Sequence, residues 1–398
     1  MYDVIIIGAG ASGLVCAIVG ARRGKRILLL EKNEKVGKKL LATGNGKCNI
    51  TNQNPISDRF HSQNRDFIAK ALEGYSYKTI RDFFRTMGLE LIEAKEGKVF
   101  PMSLQASCVV ELLEYECKSL GVDIVCNSRV EDIRYKNNKY IVKAKDKTFE
   151  SKKAVIATGH QSSPQLGGVR DGIDLAKLFG HKIINSYPSL VQLTSPMPKL
   201  KYIAGVKIEA KVRFRDINRV GDILFTKYGI SGLAILDISR FVVLELERKK
   251  SVILYLDLMP KISAKQLLAL FKRSLKETSI RPINIWLEGF INKKLINHII
   301  EPLKLKDKLT SNLSEKSLKE LIKQIKSFEF VINGSRGFTG AEVATGGVDT
   351  REINPKTMQS KKQKGLYLTG ELLDIDGDRG GFNLHFAWLS GIRVGLDI

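Results

Sequence analysis

The first segment of the chain, residues 3–31, constrains the fold more than any other. Residues 3–7 form an apolar run that predicts a buried strand, and the pattern G-x-G-x-x-G follows directly at residues 8–13. Residues 12–23 have helical spacing before Gly24, and residues 26–30 predict a second buried strand. This order of strand, glycine turn, helix and strand opens a parallel sheet, so the sequence predicts an α/β protein with a Rossmann-type domain.

Each glycine of the turn has its own physical role. Gly8 permits the tight turn, Gly10 lets a pyrophosphate approach the backbone, and Gly13 lets helix and strand pack closely. The helix N-terminus offers N–H groups and a positive dipole end to phosphates. Glu31 follows about 20 residues later, where an acid accepts hydrogen bonds from ribose hydroxyls. The segment predicts a dinucleotide site; the alternative is an ordinary glycine turn beside an exposed glutamate.

Later segments favour FAD over NAD as the dinucleotide. Residues 153–159, KAVIATG, resemble the strand and turn of FAD-dependent proteins of the two-dinucleotide-domain type. Residues 365–371, GLYLTGE, resemble their C-terminal flavin strand, whose acid approaches the ribityl chain. Residues 380–384, GGFNL, are expected to begin a helix whose positive end stabilises charge on a reduced flavin ring.

Longer segments resemble one family, in order along nearly the whole chain. Residues 37–52, GKKLLATGNGKCNITN, are similar to a signature of the BaiN/YhiN-like FAD-dependent oxidoreductases. Residues 225–236, 345–360 and 370–388 resemble further signatures of that family. The resemblance implies an NADH- or NADPH-driven reductase. Its members are linked to reduction of carbon–carbon double bonds in bile acid intermediates, to reduction of a uridine in ribosomal RNA, and to amine oxidation.

The resemblance and the strand and helix patterns together predict the domain organisation. Residues 1–188 and 336–398 are expected to form the FAD-binding Rossmann-type domain. Residues 189–260 alternate like antiparallel strands and predict a β-rich, barrel-like insertion. Residues 261–335 have helical spacing and predict a helical insertion.

The dinucleotide motif and the resemblance together assign individual residues to the site. The predicted cofactor contacts come from the glycine turn, the acid after the second strand, the glycine-rich loop and the later flavin segments; they are Gly8, Gly10, Ala11, Ser12, Gly13, Glu31, Lys32, Lys39, Thr43, Gly44, Gly46, Lys47, Asn49, Val130, Ala157, Thr158, Gly159, Gly370, Glu371, Gly381, Phe382, Asn383 and Leu384. The chain departs from the family pattern at Asn45, Lys47, Ser163 and Phe382, which leaves the substrate open.

Reduction of an activated double bond needs a hydride on one carbon and a proton on its neighbour. Cys48 in the glycine-rich loop is the candidate proton donor; the alternative is a small buried cysteine that packs under the loop. Asn383 is expected to bind the flavin ring through its amide, the alternative being a helix cap. His160 and His385 lie beside cofactor motifs, and each has a direct role or a structural one.

The chain is strongly basic. Its 65 Lys and Arg residues exceed its 42 Asp and Glu residues, giving a net charge of +23, and the excess is concentrated in residues 261–326. One interpretation is a polyanionic partner, such as ribosomal RNA bound through the basic helical insertion. The other is a lysine-rich genome and a solvated helical surface.

Cysteine usage and the first apolar stretch bear on location. None of the five cysteines forms a C-x-x-C pair, which favours a reducing compartment over a disulfide scaffold or a zinc site. Residues 4–21 are apolar but lack a basic segment before them. We therefore expect a soluble cytoplasmic protein without a metal or membrane partner. The pattern leaves the oligomeric state open.

Three functions remain open at this level. The first is an RNA-modifying flavoenzyme that reduces uridine to dihydrouridine in 23S ribosomal RNA. The second is a small-molecule ene-reductase or amine oxidase, and the third is a non-enzymatic RNA-binding protein that retains flavin. The chain has no second G-x-G-x-x-G between a strand and a helix, so NADH or NADPH is expected to be a transient electron donor.

Overall fold

The computed structural model describes all 398 residues, Met1–Ile398. The chain forms two compact units. One combines Met1–Pro188 with Ala341–Ile398, and the other is Ser189–Gly340. The first unit is therefore built from both ends of the chain, and the second is an insertion between them.

A seven-stranded sheet forms the centre of the first unit. Its parallel strands, in spatial order, are Asp123–Val125, Ile27–Leu30, Tyr2–Ile7, Lys147–Ile156 and Leu366–Leu368. Lys139–Ala144 and Val130–Lys136 extend it as antiparallel strands from the first part of Lys147–Ile156. Residues 4–7, 27–30, 154–156 and 366–368 of the parallel strands are apolar and buried, as expected for a sheet covered on both faces, whereas the edge strand Asp123–Val125 is partly exposed.

The other elements of the first unit surround this sheet. Its helices are Ala11–Arg22, Lys38–Ala42, Arg65–Leu72, Tyr77–Arg85, Ala106–Ser119, Asp171–Leu178 and Phe382–Asp397. Its short strands are Thr51–Asn52, Phe60–His61, Leu91–Glu93, Lys98–Pro101, Ile183–Ile184, Val343–Ala344, Gly347–Val348 and Asp376–Gly377. A strand at Pro188–Ser189 lies where the chain passes into the insertion.

Glycines let the first helix, Ala11–Arg22, pack closely against the C-terminal helix, Phe382–Asp397. A Cβ at Gly391 would lie 2.4 Å from the carbonyl oxygen of Ser12, and a Cβ at Gly395 would lie 2.5 Å from the Cβ of Val19. Only residues without a side chain allow this backbone approach. The contact joins the beginning and the end of the chain.

The inserted unit also contains a seven-stranded sheet, and all its pairs are antiparallel. Its strands, in spatial order, are Phe328–Ile332, Val252–Asp257, Lys207–Phe214, Ile217–Thr226, Gly229–Ser231, Leu193–Thr194 and Gly334–Ser335. Its helices are Leu200–Ile203, Leu233–Leu246, Ala264–Glu277, Ile283–Leu287, Lys293–Ile300, Glu315–Lys326 and Gly337–Gly340.

The structure differs from the sequence prediction in how the insertion is divided. Residues 189–260 and 261–335 belong to one compact unit, because Phe328–Ile332 returns to pair with Val252–Asp257. The alternation of Phe328, Phe330 and Ile332 marks this strand, which the helical assignment overlooked. The predicted β-rich part also contains a long helix, Leu233–Leu246.

Two stretches of the sequence, residues 66–87 and 285–300, have the apolar spacing of one long helix but form two helices each. The pattern over residues 66–87 forms Arg65–Leu72 and Tyr77–Arg85, separated at Gly74, which has a φ of +80°. The pattern over residues 285–300 forms Ile283–Leu287 and Lys293–Ile300, and the Asn292 side chain caps the second helix by accepting a hydrogen bond from the Lys294 amide. Turn and capping residues outweighed the apolar spacing at both places. None of the helices combines the length and apolar composition needed to cross a bilayer.

Candidate functional site

The glycine turn after the first strand has the geometry of a phosphate cradle. Gly8 has a φ of +106°, and a Cβ there would lie 2.5 Å from the Ala157 carbonyl oxygen. A Cβ at Gly13 would lie 1.9 Å from the Gly8 carbonyl oxygen. Gly10 directly precedes the first helix, and a Cβ there would meet nothing within 4 Å. Gly8 and Gly13 therefore serve packing, whereas Gly10 faces the space in front of the helix N-terminus.

Glu31 lies at the end of the second strand and is held there by this turn. One carboxylate oxygen accepts a hydrogen bond from the Ala9 amide at 2.9 Å. The other accepts from the amide and side chain of Asn33, at 2.9 and 2.6 Å. The oxygen that accepts only from Ala9 keeps acceptor capacity for a ribose hydroxyl. Sequence reasoning found Glu31 but overlooked Asn33.

The later flavin segments converge on the same turn. Gly8 packs on Ala157, as described above, and a Cβ at Gly370 would lie 2.9 Å from the Ser12 hydroxyl oxygen. Gly159 has a φ of +69° and no atom within 4 Å of its Cβ position. The hydroxyl of Thr369, next to Gly370, is buried without a hydrogen-bond partner within the chain. An open cradle and an orphaned hydroxyl beside it fit a bound dinucleotide.

The glycine-rich loop that follows Lys38–Ala42 has a left-handed backbone. Gly44, Asn45, Gly46 and Cys48 have φ values of +59°, +56°, +80° and +58°. Thr43 organises the loop, because its hydroxyl donates to the Leu40 carbonyl at 2.6 Å and its carbonyl accepts from the Cys48 amide at 2.9 Å. A left-handed backbone at asparagine and cysteine is strained and is a feature of functional loops.

Cys48 lies beneath this loop and does not face the open space. Its side chain is 0% exposed, and burial raises the pKa of the thiol to about 11. A thiol in this environment is a weak acid, so the geometry counts against Cys48 as the proton donor and agrees with the packing alternative. Its role as the donor stays a prediction.

We expect Cys48 to be inert toward thiol reagents in the folded protein. Cys16, Cys48 and Cys117 are buried, whereas Cys108 and Cys126 are partly exposed. A titration with a chromogenic disulfide near pH 8, followed by peptide mapping, should label Cys108 and Cys126 first. Denaturation should then release all five thiols. Rapid labelling of Cys48 in the native protein would contradict the buried assignment.

The residues at the start of the C-terminal helix form a second tight arrangement. Gly381 has a φ of +100°, and a Cβ there would lie 2.3 Å from the Thr51 carbonyl oxygen. The Asn383 side chain accepts from the Gly377 amide and donates to the Gly377 carbonyl, both at 2.8 Å. The Asn383 amide is therefore engaged by the preceding loop. This pairing differs from both predicted roles, flavin binding and helix capping, because the side chain turns back to the loop.

Both candidate histidines are buried and paired within the chain. His385 contacts the Thr51 hydroxyl at 2.8 Å and the Tyr75 carbonyl at 3.0 Å. His160 accepts from the Gln161 amide at 2.7 Å and contacts the Ser186 hydroxyl at 2.9 Å. Burial lowers the pKa of each imidazole to about 4, so both are neutral at pH 7. These contacts agree with the structural alternative.

Glu371 is the centre of a polar network that only the structure reveals. Its carboxylate accepts from the Lys39 ammonium at 2.7 Å, from the Ser162 hydroxyl at 2.7 Å and from the Ala344 amide at 2.9 Å. Lys39 and Glu371 were predicted separately as cofactor contacts, whereas Ser162 and Ala344 were overlooked. No spacing rule joins them, because the four residues come from separate segments of the chain.

A carboxylate–imidazole pair near the C-terminal helix was also overlooked. His61 Nε2 lies 2.9 Å from an Asp378 oxygen, and Arg59 Nε donates to the other oxygen at 2.7 Å. The Arg59 guanidinium lies 4.4 Å from the centre of the buried Phe382 ring. Burial alone would raise the pKa of Asp378, but His61 and Arg59 lower it below its usual range. Asp378 lies in a family-like segment, whereas nothing in the sequence marks His61.

The remaining predicted residues have supporting positions. Lys32 is half-buried and its pKa is lowered by burial, and Lys47 is exposed on the loop. The Asn49 side chain accepts a hydrogen bond from the Val99 amide at 3.2 Å. Val130 is buried at the start of its strand. Ala11, Thr158 and Leu384 are partly exposed at the starts of their helices or turns.

The parallel sheet, the open glycine cradle and the acid after the second strand define a Rossmann-type dinucleotide-binding domain, and the family of the chain makes it the domain of an FAD-dependent oxidoreductase. The chain belongs to the family described as "HI0933-like protein Rossmann domain", which matches residues 2–397.

Relatives and solved structures agree with this assignment. The chain is 35% identical to a 3-dehydro-bile acid delta(4,6)-reductase of Clostridium scindens, over 99% of this chain and 98% of the relative. It is 33% identical to a ribosomal RNA dihydrouridine synthase of Haemophilus influenzae, with the same coverage of each chain. Among solved structures, a 3-ketosteroid delta1-dehydrogenase from Sterolibacterium denitrificans superposes with a TM-score of 0.53 at 12% identity, over 100% of this chain and 99% of the other. The last likeness shows the shared fold.

Proposed function

We propose that the protein reduces a uridine of 23S ribosomal RNA to dihydrouridine, with FAD as cofactor and NADH or NADPH as electron donor. The observation that carries this proposal is the charge of the inserted unit. Ser189–Gly340 contains 28 Lys and Arg against 14 Asp and Glu, so it holds +14 of the net charge of +23. Such an excess suits a polyanion, because each neutralised phosphate releases counterions.

The helices of the insertion present part of this charge without carboxylate partners. Ala264–Glu277 and Glu315–Lys326 pack together, and Lys272 bonds to Glu315 at 3.2 Å. Exposed cations without an ion pair on these two helices are Lys265, Arg273, Lys276, Lys316 and Lys323. Cations that are not neutralised locally are available to contact phosphates, and such contacts position an RNA without reading its sequence.

The chain's own residues prepare the site for this chemistry. When bound, FAD supplies hydride transfer to the substrate double bond. The Gly10 cradle and Glu31 hold the dinucleotide, and the positive end of the C-terminal helix favours negative charge beside Gly381. A target base has to be unstacked to reach such a site.

A proton donor completes the reduction. Cys48 was the candidate from the sequence, but it is buried and its thiol pKa is raised. His61 is the alternative from the structure, because it is partly exposed and Asp378 orients its ring. Imidazole is the side chain best matched to proton transfer near pH 7.

The test is the dihydrouridine content of 23S ribosomal RNA from a strain that lacks the gene. We expect one dihydrouridine to disappear and a wild-type copy to restore it, as measured by mass spectrometry of nuclease digests. A Cys48→Ala copy should restore it too, whereas a His61→Gln copy should reduce its formation at least about 100-fold. Unchanged RNA in the deletion strain would overturn the proposed substrate.

A second candidate is the reduction of an apolar ene compound. The observation that favours it is the 35% identity to the bile acid reductase, together with exposed apolar side chains near the glycine-rich loop. Leu41, Met102 and Leu104 are 40%, 61% and 41% exposed, and the Ala106 amide bonds to the Gly46 carbonyl at 2.8 Å. NADPH should reduce the flavin and bleach its yellow colour. If a steroid enone then restores the colour and RNA does not, this candidate is favoured.

A further inference from the structure

Lys39, Ser162 and Glu371 form a closed triangle of polar contacts. Lys39 Nζ lies 2.7 Å from one Glu371 oxygen and donates to the Ser162 hydroxyl at 2.6 Å. The Ser162 hydroxyl donates in turn to the other Glu371 oxygen at 2.7 Å. The backbone amide of Ala344 adds a further bond at 2.9 Å to that second oxygen. The orientation of the Glu371 carboxylate is thus determined from several sides.

The triangle is largely removed from water. Ser162 is 0% exposed, and the side chains of Lys39 and Glu371 are 32% and 18% exposed. His160 lies close enough to interact with both charges, but its imidazole is neutral because burial lowers its pKa to about 4. The network therefore contains one positive and one negative charge, and it is balanced only while both are present.

The two balanced charges, on Lys39 and Glu371, lie beside segments that are predicted to contact the cofactor. Glu371 directly follows Gly370, which packs against Ser12 at the start of the first helix. Lys39 belongs to the helix Lys38–Ala42, which precedes the glycine-rich loop. Without the Lys39 charge, the Glu371 carboxylate would repel the phosphates of a dinucleotide and would disfavour a reduced, negatively charged flavin.

We propose that Lys39 and Ser162 are positioning residues that hold a charge-balanced Glu371 carboxylate against FAD, and that Lys39 thereby sets both the affinity for FAD and its reduction potential. Ser162 acts through geometry alone, since it adds no charge. Lys39 acts through geometry and charge together. This inference concerns the cofactor and is independent of the substrate proposed above.

The test is a cycle of near-isosteric variants of the full-length protein, Lys39→Met, Glu371→Gln and the double variant. FAD affinity is measured by the fluorescence of FAD added to the apoprotein, and the reduction potential by equilibration with reference dyes. Lys39→Met should weaken FAD binding about tenfold or more and make the potential more negative. Glu371→Gln alone should make the potential more positive. The double variant should return the potential toward wild type.

Ser162→Ala is the matched control for geometry without charge. It should weaken FAD binding by less than Lys39→Met and leave the potential unchanged. If Lys39→Met does not fold, as judged by circular dichroism, the neutral double variant should still fold and keeps the test decisive. Wild-type affinity and potential in folded Lys39→Met, or a double variant with the potential of Lys39→Met, would overturn the proposal. None of these outcomes depends on RNA reduction, so the two proposals fail separately.

Discussion

Replacement of Gly10 with alanine is expected to leave the fold intact and to weaken FAD binding on the order of 100-fold or more. The Cβ would meet no protein atom within 4 Å, and the backbone at φ −85° and ψ −165° suits alanine. The added methyl group would occupy the cradle where a pyrophosphate must approach the amides. The measurements are the thermal unfolding midpoint of the apoprotein and the FAD dissociation constant.

Gly13→Ala is the matched substitution in the same turn. We expect it to act mainly on the stability of the fold, whereas Gly10→Ala acts mainly on FAD affinity. Its Cβ would lie 1.9 Å from the Gly8 carbonyl oxygen, which is backbone and cannot move aside. The free energy of unfolding should therefore fall by about 3 kcal/mol. If the Gly10 variant binds FAD as tightly as wild type, the assignment of the cradle is wrong. If the Gly13 variant is as stable as wild type, the packing role of Gly13 is wrong.

The second large effect is expected at Trp388 in the C-terminal helix. Trp388 is 0% exposed, packs edge-on against Phe84 at 5.2 Å, and donates from its indole nitrogen to the Ile50 carbonyl at 2.9 Å. Trp388→Ala should lower the free energy of unfolding by about 3–5 kcal/mol, measured by urea denaturation. Ile50 adjoins Thr51, whose carbonyl Gly381 approaches, so FAD affinity should fall as well.

Trp388→Phe separates the hydrogen bond from the packing. It leaves the buried Ile50 carbonyl without its donor, so we expect a loss of about 1–3 kcal/mol in the free energy of unfolding. Trp286 is the control in the inserted unit, since it is 3% exposed and donates to the Ser274 hydroxyl at 3.0 Å. Trp286→Phe should lower stability while FAD affinity stays unchanged. If Trp388→Phe and Trp286→Phe weakened FAD binding equally, a local link between Trp388 and the cofactor loop would be contradicted.

The cofactor turn was the part of the site most accessible from sequence. Gly8, Gly10 and Gly13 have roles that depend on a local pattern of strand, turn and helix, and Glu31 follows at a spacing set by one helix and one strand. Such roles are encoded within about thirty residues, so a single sequence contains them.

The candidates beyond that turn show where sequence reasoning stops. Cys48 lies in the expected loop, but whether its thiol faces the site depends on a φ of +58° and on the packing beneath it. Asn383 lies at the expected helix start, yet its amide pairs with Gly377. The direction of a side chain follows from tertiary packing, which a pattern of residue types does not encode.

The fold class, the dinucleotide turn and the concentration of positive charge in the insertion could all be predicted from the sequence, because each depends on local periodicity, local motifs or composition. The contacts among Lys39, Ser162 and Glu371, the pairing of His61 with Asp378, and the place of Phe328–Ile332 in the inserted sheet are seen in the folded protein alone. Lys39 and Glu371 are 332 positions apart in the sequence, and a hydrogen bond between them forms only after the sheets and helices have packed, so no local pattern records it.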